Sequence, residues 1–186
     1  ARDTSVIDVP GKAQADIACG FLGPGRLEPG YYAFWVMNTV LGQYGMGGRL
    51  GENIRERQGM AYYASSSYDA HRIPGPLIAR AGVDPANVER ALAAIEFEIS
   101  RIARDGITPE ERDNAVRYMA GSIPRMLETN AGIAQFLITV EQFGLGDDFD
   151  RRLPSLVAAV TRDEASAAAA TLDMSRAVVA VAGPAS

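Results

Sequence analysis

Lysine, histidine and cysteine are almost missing from this sequence. Of its 18 basic residues 17 are arginine, so Lys12 is the single amine available for lysine chemistry. Cys19 stands alone, which rules out an intramolecular disulfide and any cysteine-rich zinc module. His71 is also alone, and that excludes every metal site needing two imidazoles from this chain. No apolar run approaches the roughly 20 residues that a membrane span requires. Positive charge is in deficit too: 23 acidic residues against 18 basic ones give a net charge of −5, which argues against electrostatically driven nucleic-acid binding.

What remains is an ordinary globular composition. With 186 residues, 47% apolar and 22% charged, the chain can bury a single core without staples. It opens on Ala1-Arg2-Asp3-Thr4 with no initiator methionine, which reads as a fragment or processed product of a longer chain. We find no internal repeat or linker, so residues 1–186 are expected to form one domain.

The first quarter reads as strands, Val6 to Val9 and Ala15 to Leu22, separated by Pro10-Gly11. Tyr31 to Leu41 is apolar all round and too long for a typical strand, so it predicts a buried helix, followed by the glycines Gly42, Gly45, Gly47 and Gly48. Arg49 to Gln58 is helical in composition and stopped by Gly59. Met60 to Tyr68 alternates as a strand with Tyr62, Ala64, Ser66 and Tyr68 on one face, and Leu77 to Ala81 is its partner. The second half is helical. Asp84-Pro85 opens a helix with Val88, Leu92, Ile95, Ile99 and Ile102 on one stripe, and Thr108 to Glu111 and Thr161 to Glu164 are capping boxes. Pro124 should kink or end the helix after Thr108, helices follow over Asn130 to Phe143 and Leu153 to Val160, and Arg176 to Ala182 is a final strand. Hairpin-joined strands with helices in blocks predict an α+β fold: a largely antiparallel sheet with helices packed on it.

Few residues suggest chemistry. His71 falls in a turn and reads as solvated, Cys19 as a buried small hydrophobe, and Ser65-Ser66-Ser67 as strand residues without a nucleophile elbow. The glycines from Gly42 to Gly48 lack the Lys-Ser/Thr of a phosphate loop and read as a flexible connection needing positive φ. Glu52 and Glu56 share a helical face, either as an acid/base pair or as solvated partners of Arg49, Arg55 or Arg57. Asp147, Asp148 and Asp150 lack the calcium-loop pattern and suit helix capping. Arg55 ends the arginine-rich helix and Tyr62 starts the next strand, so the turn between them could bring two strong donors into one groove. The residues alone leave that open against a surface ion pair and a half-buried ring.

Gly48-Arg49-Leu50 followed by Ile54-Arg55-Glu56-Arg57-Gln58-Gly59-Met60-Ala61-Tyr62 resembles the R-E-x-x-G-x-x-Y signature of the pitrilysin family of zinc metallopeptidases. The order of elements is similar to the family's C-terminal-type, non-catalytic domain, and Ala177 to Gly183 resembles its last strand. The resemblance implies a clamshell in which a sister domain or subunit carries H-x-x-E-H, zinc and the general base. It also implies that Arg55 and Tyr62 bind the substrate peptide and help polarise its scissile carbonyl. The peptide would lie extended, added as a strand on the zinc-bearing side. No H-x-x-E-H occurs here, so the resemblance places no metal and no catalytic residue on this chain, which would work only with that partner. The alternative is a structural or assembly domain with no peptidase role, like the core subunits of the respiratory cytochrome bc complex, and intact Arg55 and Tyr62 argue against it.

Overall fold

In the computed structural model, which describes residues 1–184, five strands form one sheet in the order β1-β5-β2-β4-β3. The strands are β1 (Asp3–Asp8), β2 (Ala15–Gly23), β3 (Ala61–Tyr68), β4 (Gly75–Val83) and β5 (Val178–Gly183). Only β1 and β5 run parallel; β5–β2, β2–β4 and β4–β3 are antiparallel. Alternation assigns the two faces. Ile17, Cys19, Ala64, Leu77, Ala79, Ala81, Val179 and Val181 are buried beneath the helices. Asp16, Arg80 and Val178 belong to the opposite, open face. The expected α+β class with a largely antiparallel sheet is the observed one.

α1 (Tyr31–Asn38) is the core helix, with Tyr31, Phe34, Val36 and Met37 all buried. It packs against α3 (Pro109–Met126), α5 (Phe149–Ala158) and α6 (Arg162–Ala169), which explains why its sequence is apolar all round. α2 (Val88–Asp105) shows the expected stripe, burying Ile95, Ile99 and Ile102, and α4 (Asn130–Phe143) ends at Gly144 in the left-handed conformation. Both capping boxes form. Pro124 sits inside α3, which runs only two residues beyond it. α5 begins at Phe149, four residues earlier than Leu153, and Asp148 at its N-cap makes no side-chain cap, its carboxylate instead accepting a 2.9 Å bond from Arg152 Nε.

The glycine-rich stretch corrects the sequence reading. Among the glycines from Gly42 to Gly48 only Gly45 has a positive φ. Gly42 lies buried in a π-helix, π1 (Thr39–Gln43), where a Cβ would come within 2.5 Å of the Ser66 backbone nitrogen. Gly48 stands nearly as close to Gly42, with 2.8 Å from its would-be Cβ to the Gly42 Cα. These two glycines let backbones meet, and both are buried, although Gln43, Tyr44, Gly45 and Gly47 between them are exposed.

Cys19 is fully buried at the sheet centre. Burial, with a lesser contribution from the Glu96 charge, pushes its thiol up to about 11. The thiolate is the reactive form, so the native chain at neutral pH is expected to resist a thiol-modifying reagent. Counting modified thiols with and without denaturant checks this, and prompt labelling of the native protein would contradict it.

Candidate functional site

The stretch from Arg49 to Tyr63 is built as helix, turn and bulged strand. After Leu50 the backbone enters a second π-helix, π2 (Gly51–Arg57), whose buried side chain Ile54 plugs it into the core. Backbone bonds to residues five apart widen this turn, and such segments are rare and concentrate at functional sites. The wider turn also sets the charge pairing. Arg57 bonds Glu52, five residues back, while Glu56 lies 4.0 Å from Arg55. Gly59 has φ +63 and closes the helix, as its identity predicts.

Arg49 does not join these surface pairs. It is 7% exposed and reaches α3, where Nε and Nη2 donate to the two oxygens of Glu111 at 2.7 and 2.8 Å and Nη2 also donates to the Gly106 carbonyl. Glu111 is the capping-box acid of α3, so one carboxylate both caps that helix and locks the entrance of π2. Burial alone would raise its pKa. The hydrogen bonds from Arg49 and from the Thr108 N–H, with the Arg49 charge, outweigh burial and hold it below 4.5.

Strand β3 begins with a bulge. Ala61 pairs with Val83 and Tyr63 with Gly82, so Tyr62 is the extra residue between them. The sequence reading put Tyr62 on one face with Ala64, Ser66 and Tyr68; the bulge takes Tyr62 out of that alternation. Ala61 takes the inward place, and Tyr62 stands 65% exposed. Tyr63 is on the open face, and its ring crosses β4 over Gly82, where a Cβ would come within 2.3 Å of it. Its hydroxyl donates to Asp16 Oδ1 at 2.7 Å. Asp16 also pairs with Lys12, whose Nζ donates to the Ala182 carbonyl, so this strap ties four strands. Lys12 first, then Tyr63, holds the Asp16 carboxyl below its usual range, and burial followed by Asp16 pushes Tyr63 up to about 12.

Arg55 and Tyr62 therefore flank the Gly59 turn as exposed donors. Among the described residues no hydrogen bond engages the Arg55 guanidinium or the Tyr62 hydroxyl, and Glu56 is the one charge within ion-pair reach of Arg55. The neighbouring donors Arg49, Arg57 and Tyr63 are all taken. His71 is exposed, 3.5 Å from Asp69, and among the described residues no group of three or more His, Cys, Asp or Glu side chains could hold a metal ion. No helix among the described residues is long and apolar enough to cross a membrane. Sequence reasoning missed the Arg49–Glu111 link, the bulge and the Tyr63 strap; the adjacent aromatics Tyr62 and Tyr63 are the one local hint of the bulge.

Comparison with known proteins follows the same lines. Residues 1–119 match the family model described as the peptidase M16 inactive domain. An uncharacterised zinc protease of Streptomyces coelicolor is 30% identical over 176 residues, covering 92% of this chain and 37% of that protein. Another, from Bacillus subtilis, is 33% identical over 119 residues, 62% of this chain and 28% of that protein. This chain thus spans less than two fifths of those relatives' length. The crystal structure of a peptidase M16 inactive domain from Pseudomonas fluorescens superposes with TM-score 0.87 at 25% identity, covering 99% of this chain and 43% of that one. A protease from Helicobacter pylori has the same fold, with TM-score 0.85 at 16% identity over 98% of this chain and 44% of that one. Motif, strand order and helical layer, matched along most of the chain, agree on one answer: this chain belongs to the M16, or pitrilysin, family of zinc proteases as its inactive domain.

Proposed function

We propose that this domain holds substrate peptide for a zinc-bearing H-x-x-E-H partner, either a sister domain or a separate subunit, and that Arg55 and Tyr62 are the residues that do it. The observation carrying this reading is the difference in commitment among neighbours. Arg49, Arg57 and Tyr63 around the Gly59 turn each donate an internal hydrogen bond, whereas among the described residues the two that match the family signature donate none. A permanently charged planar guanidinium and a phenolic O–H are suited to peptide carbonyls, and to the negative charge that grows on the scissile oxygen as water attacks. Zinc on the partner would supply the activated water. This chain contributes grip and charge stabilisation, and no proton transfer is assigned to it.

The experiment is cleavage of a quenched fluorescent peptide by the chain assembled with its zinc-bearing partner, comparing Tyr62→Phe with Tyr63→Phe. Tyr62→Phe removes a free donor and is expected to lower kcat by about 10²-fold, the cost of one oxyanion-type donor. Tyr63→Phe loses only the strap to Asp16, and its rate should stay within a few-fold of wild type. Equal rates in both variants and wild type would leave the domain a scaffold.

A further inference from the structure

Glu98 on α2 is 1% exposed, the one fully buried acid among the described residues. A buried carboxylate is costly unless partnered, and here each oxygen has a different partner. Oε1 accepts a 2.6 Å hydrogen bond from Asn53 Nδ2, whereas Oε2 lies 2.7 Å from Arg101 Nη2. The Arg101 contact is an ion pair off hydrogen-bond geometry, leaving Oε2 and Arg101 Nε without directional partners. The directional capacity of Glu98 thus goes to Asn53, which lies within π2.

Asn53 holds the C-terminal end of π2. Its carbonyl accepts the five-residue backbone bond from the Gln58 N–H at 3.1 Å, and its side-chain Oδ1 accepts from Gln58 Nε2 at 2.9 Å. Arg55 lies between the two ends of that double bond. A π-turn is less favourable than an α-turn, so a segment without an outside hold would tighten, rotate Arg55 about the helix axis and pull Gly59 away from β3.

We infer that Glu98 is a positioning residue: by gripping Asn53 it keeps the π-turn of π2 open and so aims the Arg55 guanidinium at the bound peptide. This rests on the substrate-holding reading of Arg55 given above. The grip acts on geometry and not on substrate, so it shows only while Arg55 is present.

The test uses the chain assembled with its zinc-bearing partner and the same fluorescent peptide, with zinc content and thermal unfolding followed alongside. Glu98→Met removes the acceptor at nearly equal volume, and kcat should fall roughly ten- to a hundredfold, the range for a misplaced group. Glu98→Gln keeps an acceptor for Asn53 and should restore most of that loss. In an Arg55→Ala background Glu98→Met should cost nothing further, because both changes remove one function. If the Glu98→Met loss instead multiplies with that of Arg55→Ala, or if Glu98→Met and Asn53→Ala both leave kcat within twofold of wild type, the positioning role is overturned while the substrate-holding role stands. If Arg55→Ala alone leaves cleavage intact, both fall together. Asn53→Ala, at a half-buried position, carries the same comparison should Glu98→Met fail to fold.

Discussion

Arg55→Ala in the assembled protease is expected to lower kcat for peptide cleavage by about 10²-fold or more, with zinc content and assembly unchanged. The side chain is exposed and has no internal hydrogen bond among the described residues, so its removal leaves nothing buried unsatisfied and folding should be untouched. The loss should therefore appear in catalysis alone. How it divides is informative. Equal falls in kcat and kcat/KM mean a contact made only in the transition state, whereas a raised KM with kcat unchanged means uniform gripping of the peptide. Arg55→Lys keeps the charge and loses the planar fork, so it should recover only part of the rate. Wild-type rates in Arg55→Ala would end the substrate-holding reading.

Arg49→Ala is expected to act on stability instead. The pair with Glu111 is bidentate and the guanidinium is almost fully buried, and breaking a buried pair strands the remaining charge. Glu111 keeps 28% side-chain exposure and can recover water, which puts the cost near ~3 kcal/mol, the low end for such pairs. For a chain of this size that is a fall in Tm of roughly 6–12 °C. The acid limb supplies a second signature. Because Glu111 is held below 4.5 in the folded chain, its contribution is fully present above that value and is lost as pH falls through the lowered folded value. Arg49→Ala should lack much of that acid limb. Parallel stability–pH curves for wild type and variant would show that the pair is not what lowers Glu111.

Local signals carried most of this molecule. The Thr108 and Thr161 capping boxes, the stripe of α2 and the apolar α1 could be read directly because their causes lie within one or two helical turns. The Arg55-to-Tyr62 spacing was legible as a motif, and what made it distinctive was not. The bulge depends on how β3 registers against β4, and the π-turn on a hold from α2 that spans 45 residues of sequence. Arg49 pairs across 62 residues with an acid whose capping role already accounts for its presence. Gly42 and Gly48 looked like hinge glycines because composition cannot separate a positive φ from a close backbone approach.

The parallel pairing of β1 with β5 sets an order on the birth of the sheet. Of the five strands in this sheet β1 comes first along the chain, and its one neighbour in the sheet, residues 178–183, comes last. The β3–β4 hairpin and the helices can form from nearby chain, whereas β1 has no hydrogen-bonding partner until β5 slots between it and β2. Pairings this distant close slowly. During the wait Val6 and Ile7, already exposed in the finished fold, are open to other chains along with the bare edge of β2. Asp3 and Asp8 put a like charge at either end of that short strand, an obstacle to pairing with a second copy of itself. A nascent chain stalled before Val178 would hold every helix of the described residues and a sheet still missing the strand that joins β1 to β2.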